Sequence, residues 1–167
     1  MLSVAKLLNQ PLLKQFSPNP SPFTRGLVAC VGTDYCNLAL IETKSRALVL
    51  SDALHKKLGA GVDPLTIHWS GCPAGCGNHE VADVGLRGFK TKIDGKLADA
   101  VAVYVGGRTG PHAVAGKEIL ATVSCDEAFP EVITNVIQSW CAENEHRPQP
   151  AFRDLDFIAA STVGLAS

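Results

Sequence analysis

Two close pairs of cysteines, Cys30-x5-Cys36 and Cys72-x3-Cys76, constrain this chain more than any other feature. If all four serve one site, residues 37–71 must leave that site and return to it. The fold must therefore bring two distant loops to one point. The remaining two cysteines, Cys125 and Cys141, stand apart and are expected to pack as small hydrophobes. A reducing compartment keeps thiols free, so clustered cysteines point to metal or redox chemistry rather than to a disulfide framework.

Three chemistries share such a pattern. Structural zinc usually takes knuckles of two to four intervening residues, so the three-residue gap suits it and the five-residue gap is wide. Cysteines held only for packing do not call for Gly-rich turns, yet Gly71, Gly75 and Gly77 surround the second pair, and Pro73 stiffens it. A cubane iron–sulphur cluster suits uneven spacing best, because its corners lie farther apart than ligands around one ion. Glycines let backbone amides approach its sulfides. Cys36 is expected in the first turn of a helix, where the positive end of the dipole favours a thiolate.

That helix is expected to begin near Thr33 as N-cap and to run to about Leu58, with Lys56 and Lys57 in the last turn and Gly59 after it. Glu42 and Arg46, four apart, would support its exposed face. Before it, Leu7, Leu8, Leu12, Leu13 and Phe16 make a helical apolar face interrupted at Pro11, and Pro18, Pro20 and Pro22 keep the chain extended. Leu65–Trp69 reads as a strand delivering the chain to Gly71-Cys72. Residues 81–93 and 97–105 flank Asp94-Gly95, a strong hairpin signal, and Gly85 and Gly88 in the first arm suggest a bulge or a close backbone approach. After Asp126, a stripe of Phe129, Val132, Ile133, Val136, Ile137, Trp140 and Cys141 predicts an amphipathic helix. The expected fold is α/β (α+β): a small mixed or antiparallel sheet flanked by helices, with the cysteines in loops at one end.

Hydrophobic residues make up 46% of the 167, enough for one real core, and the formal charge of −1 gives no basic stripe for nucleic acid. No apolar run approaches the roughly 18 residues of a membrane span. Lys6, Asn9, Gln10 and Pro11 interrupt the apolar start, so it does not read as a signal peptide and a cytoplasmic location is expected.

Three stretches carry a resemblance to a known family. Gly26-Leu27-Val28-Ala29-Cys30, continuing through Tyr35-Cys36-Asn37-Leu38-Ala39-Leu40-Ile41-Glu42-Thr43-Lys44, resembles the first cluster motif of ferredoxin-dependent nitrite reductases. Trp69-Ser70-Gly71-Cys72-Pro73-Ala74-Gly75-Cys76-Gly77 with Val81-Ala82-Asp83-Val84-Gly85 resembles the second, and Val105-Gly106-Gly107-Arg108-Thr109-Gly110 a glycine–arginine turn. Assimilatory sulfite reductases share the cysteine pattern. The resemblance runs from about Leu12 to Trp140. It implies a domain over 26–145, preceded at 1–25 by a helix and Pro-rich linker left from a ferredoxin-like segment and followed at 146–167 by a polar tail.

The resemblance also implies chemistry. The four cysteines would hold a [4Fe-4S] cluster, and Cys76 would be shared with the iron of a siroheme whose far face binds nitrite or sulfite for six-electron reduction. An electron donor such as ferredoxin would supply the cluster. Arg108 is a candidate for a siroheme carboxylate, against the reading of a solvated turn arginine. Asn78 and His79 are candidates for the macrocycle edge, against local backbone partners. His68 is expected to pack, and His112 sits in a loop with no assigned role. The sequence departs from the family at Val31, where Thr often follows the first cysteine. Family enzymes also carry a preceding half that supplies most of the anion clamp, so no anion-binding residue is assigned here. A complementary polypeptide for that half, or a homo-oligomer, is an expected partner. The alternative is an electron-transfer or split-enzyme subunit without turnover of its own.

Overall fold

Residues 4–59 and 65–144 are described by a computed structural model of the chain. The polar tail expected at 146–167 lies outside the described residues. Pro11 divides the first apolar stretch into α1 (Val4–Leu8) and α2 (Pro11–Gln15), since proline at a first helical position has no N–H to lose. A short α3 (Pro22–Arg25) is capped by Ser21, whose hydroxyl accepts from the Thr24 N–H at 3.1 Å, and inserts Phe23 fully into the core.

Five strands then form one mixed sheet in the order β1-β2-β3-β4-β5. They are β1 (Leu27–Ala29), β2 (Ile67–Ser70), β3 (Val84–Ile93), β4 (Lys96–Val105) and β5 (Lys117–Ser124). The first three run parallel to one another, and β3, β4 and β5 are antiparallel neighbours. The hairpin between β3 and β4 turns on Asp94 (φ 51°) and Gly95 (φ 77°), the two left-handed positions that a type I′ turn requires. Helices α4 (Lys44–Leu58) and α5 (Phe129–Glu143) cover the face carrying Ile67, Trp69, Val84, Leu86, Val101 and Val103. Leu50 and Leu54 from α4, with Ile133 and Ile137 from α5, complete that core at 1% exposure or less. The α/β class with a small mixed sheet flanked by helices is as expected.

The first long helix starts ten residues later than the sequence suggested. Residues 33–43 form turns, and α4 begins at Lys44 with Thr43 as its N-cap. Glu42 sets that start: its carboxylate accepts from the backbone N–H groups of Ser45 (2.8 Å) and Arg46 (3.3 Å). Glu42 is therefore a helix-capping group rather than one half of a surface pair. Arg46 instead crosses to the sheet, where its Nη1 lies 2.8 Å from Asp99 Oδ2. The end of α4 is as expected, at Gly59 with φ 64°, after His55, Lys56 and Lys57.

Strand β5 was not foreseen. Its residues are mostly exposed, and its pairing with β4 is broken by register shifts between Val101 and Tyr104, so no clean alternation marks it. The glycines of β3 mark close approaches rather than a bulge. A side chain at Gly85 would overlap the His79 carbonyl, and one at Gly88 would strike Ile41.

Asp99 ties the sheet to α4. Burial pushes its carboxyl up, but the bonds from Lys90 Nζ (2.6 Å) and Arg46 outweigh that and hold it below the ordinary carboxylate range. A carboxylate depressed in the folded state stabilises above its unfolded value near 3.9. That contribution disappears as pH falls through the lower folded value. Asp99→Asn should cost about 1 kcal/mol at pH 7, because the site is partly exposed and screened. Urea unfolding at pH 7 and pH 2 checks this, with the difference from wild type shrinking in acid.

Candidate metal centre

The two cysteine pairs meet because β1 and β2 are adjacent and parallel. Ala29 is in register with Trp69, so the chain leaves both strands at the same end of the sheet, one into Cys30 and the other into Gly71-Cys72. The Cys30 N–H donates to Trp69 O at 2.9 Å, which extends the ladder to the first thiol. The intervening loop is then pinned from its far end: the Leu40 and Ile41 N–H groups both donate to Gly71 O, at 2.9 and 3.2 Å. Cys36 lies in this loop, where its N–H donates to Gly32 O at 3.0 Å. It is not in the first turn of a helix, since α4 begins eight residues later at Lys44. The dipole argument for its thiolate therefore does not apply.

The four thiols share one cavity of about 240 Å3, lined by Ala29, Cys30, Val31, Cys36, Ala39, Gly71, Cys72 and Cys76. Cys30, Cys36 and Cys72 are half-buried and Cys76 is exposed. Among the described residues, no three His, Cys, Asp or Glu side chains converge on a point suited to one metal ion. A zinc ion asks for sulfurs all about 2.3 Å from a single centre. A cubane takes one thiolate at each of four separate irons, a role four thiols lining one cavity could fill.

Three contacts around Cys30 were not anticipated. The Gly71 N–H donates to Cys30 Sγ at 3.1 Å, the kind of bond that stabilises a thiolate. Thr43 Oγ1 lies 3.8 Å from the same sulfur and donates to Cys30 O at 2.6 Å, so a buried hydroxyl stands beside this cysteine although Val31 lacks one. Its use there also leaves the Thr43 side chain making no helix-cap bond. The third is the lack of room at Gly71, where a Cβ would sit 2.9 Å from Ile41 O and 3.3 Å from Cys30 Sγ. Thr43 stands inside the first motif, but nothing in its spacing says that the hydroxyl turns inward.

The second loop is shaped by Gly75 (φ 73°) and Asn78 (φ 53°), both left-handed. The Gly75 N–H donates to Cys72 O (3.3 Å) and the Asn78 N–H to Gly75 O (2.8 Å). Asn78 is exposed, and its carbonyl meets His68 Nδ1 at 3.0 Å, so His68 carries a proton there. His79 turns inward to 4% exposure, its Nδ1 3.0 Å from Ser70 Oγ and its ring 5.1 Å from that of Tyr104. Burial lowers its pKa and outweighs the opposing charge of Glu80. Arg108 is exposed, its Nε donating to His112 O at 2.9 Å and its backbone bridged to Val114. These bonds close the loop from Arg108 to Val114, within which His112 lies.

Cys125 and Cys141 lie away from this cavity, half-buried against the core rather than fully inside it. Burial pushes the Cys125 thiol up to about 11. At pH 8 only about one Cys125 in a thousand is thiolate, so it should alkylate slowly. In cluster-free chain treated with iodoacetamide, peptide mass mapping should find exposed Cys76 modified well before Cys125.

A mixed α/β sheet with paired cysteine loops at the ends of two parallel strands is an arrangement suited to an iron–sulphur domain. Residues 21–155 match the nitrite and sulphite reductase 4Fe-4S domain family. The chain belongs to that family. It is 43% identical over 131 residues to a ferredoxin–nitrite reductase of Synechococcus elongatus, covering 78% of this chain and 25% of that one. A second, from Leptolyngbya laminosa, is 44% identical over 137 residues, covering 82% and 26%. The structure of the Mycobacterium tuberculosis NirA protein aligns with a TM-score of 0.70 at 28% identity, covering 81% of this chain and 26% of that one. The chain thus spans about a quarter of the length of the relatives it matches. Among the described residues, no helix is long and apolar enough to cross a membrane.

Proposed function

We propose that this chain is the electron-delivering domain of a siroheme-dependent nitrite reductase, with its [4Fe-4S] cluster on Cys30, Cys36, Cys72 and Cys76. The observation that carries the reading is four thiols around one cavity with only Cys76 exposed. When bound, the cluster supplies storage and transfer of single electrons to the siroheme. The residues' share is ligation, hydrogen bonding and burial. Gly71 N–H donates to Cys30 Sγ, half-burial would shield three of the sulfurs, and exposure would leave Cys76 free to bridge to the second iron. Exposed Val31, Tyr35 and Leu38 on the first loop suit an apolar cofactor edge or the remainder of the enzyme. Arg108 and Asn78 are proposed contacts to siroheme carboxylates and the macrocycle edge. Nitrite is favoured over sulfite, and ferredoxin as the donor, because the relatives above are named for both.

The bridge is tested by Cys76→Ser in the full-length, cofactor-loaded protein. Magnetic coupling between the two iron centres, read by Mössbauer spectroscopy, should vanish while siroheme absorption remains. Coupling that persists in that variant would refute the bridging role.

A further inference from the structure

Behind the second cysteine loop lies a buried polar group that ligation itself does not use. Ser70, the last residue of β2, is 1% exposed and His79 is 4% exposed. The Gly77 N–H, next to Cys76, donates to Ser70 Oγ at 3.0 Å, and the same oxygen lies 3.0 Å from His79 Nδ1. The Ser70 oxygen accepts from Gly77, so its own proton is free for the imidazole. Ser70 Oγ can meet Nδ1 as donor or as second acceptor, so the bond stands in either neutral tautomer, and burial lowers the ring's pKa. The loop also rests on the imidazole: a Cβ built at Gly75 would be 3.6 Å from His79 Cε1. The ring in turn packs at a tilt of 58° against Tyr104, whose hydroxyl donates to Glu118 on β5 at 2.6 Å, with the Arg87 guanidinium 5.4 Å over the Tyr104 ring. The His79 carbonyl fills the space above Gly85 on β3.

We propose that Ser70 and His79 form a buried strut that sets the position of the Cys72–Cys76 loop, and with it the sulfurs of both cysteines. They are positioning residues. One end of the strut is fixed in β2 and the other is clamped between β3 and the Tyr104 ring, so the loop cannot drift without breaking bonds to buried groups. Among the described residues, loss of the Ser70 oxygen strands the Gly77 N–H and His79 Nδ1 together. The strut concerns the cluster loop, so the proposal rests on the cysteines being its ligands.

The test uses the full-length, cluster-loaded protein and compares Ser70→Ala, Ser70→Thr, His79→Phe and His79→Asn with wild type. Phe keeps a ring against Tyr104 and removes Nδ1; Asn keeps a polar atom near the Nδ1 position. Iron release to a chelator should be roughly tenfold faster in Ser70→Ala and His79→Phe, within the range set by groups that orient metal ligands. The electron paramagnetic resonance g-values of the reduced cluster should shift in the same two variants. Ser70→Thr should stay within about twofold of wild type, because its hydroxyl retains both bonds. Wild-type release rates and g-values in Ser70→Ala would overturn the strut while leaving the ligand assignment intact. Should His79→Phe fail to fold, the Ser70 pair decides the matter alone. A wild-type protein lacking cluster iron would overturn the ligand assignment and the strut with it.

Discussion

Replacing Cys72 by Ser should abolish most of the iron–sulphur absorbance and drop bound iron and acid-labile sulfide to a small fraction of wild type. Serine is nearly isosteric, so the loop keeps its shape, but its oxygen is a hard donor and a poor replacement for thiolate at a cluster iron. Cys72 is half-buried, follows Gly71 directly and shares its cavity with the other three thiols. Losing one corner leaves an iron open to water in a site whose other lining is largely Ala and Val. Cys141→Ser is the control: that thiol packs beside the core, away from the cavity, and its loss should leave iron content unchanged. Unchanged iron and sulfide in Cys72→Ser would remove Cys72 from the ligand set.

Gly77→Ala should be strongly disruptive although the residue carries no side-chain chemistry. A Cβ there falls inside the contact distance of the Trp69 carbonyl and 3.0 Å from Ser70 Oγ. Neither neighbour can yield cheaply. Trp69 is fully buried with its ring 5.2 Å from Phe129, and its carbonyl already accepts the Cys30 N–H at 2.9 Å. The methyl therefore presses on the backbone that carries both cysteine pairs. A loss of about 3 kcal/mol is expected, at the upper end of overpacking costs. Gly95→Ala provides the contrast: a Cβ there meets open space, and only its φ of 77° resists, at about 1 kcal/mol. Denaturant unfolding of both variants measures the difference. Equal costs would mean that the Gly77 contact relaxes without penalty.

The features legible in the sequence were those set by local chemistry. Asp94-Gly95 marks its turn because only a few residues accept two left-handed positions in succession. The stripe on α5 and the Gly59 stop of α4 follow from helical periodicity and C-capping. The paired cysteines pointed to one site because cysteines held for packing alone do not call for Gly-rich turns, and all four thiols line one cavity. Features set by distant partners were not legible. Residues 33–43 contain an N-cap candidate and helix formers, yet the bonds of Leu40 and Ile41 to Gly71 O hold them in turns. Thr33 loses the cap position to Thr43, with Glu42 supplying the side-chain acceptors, because residues 33–43 are held in turns. His79 looked like a candidate for the cofactor edge; only the fold reveals that Ser70, nine positions earlier, draws it inward. The inward turn of Thr43 was hidden for the same reason.

The measurement that tests the central claim most directly is the absorbance spectrum of full-length protein produced in a host that makes siroheme, with iron and acid-labile sulfide counted on the same sample. The expected result is the four irons and four sulfides of a 4Fe-4S centre, one further iron with the siroheme bands, and loss of the cluster component alone on changing Cys72. A sample holding one zinc ion on the same cysteines, with no labile sulfide, would contradict it.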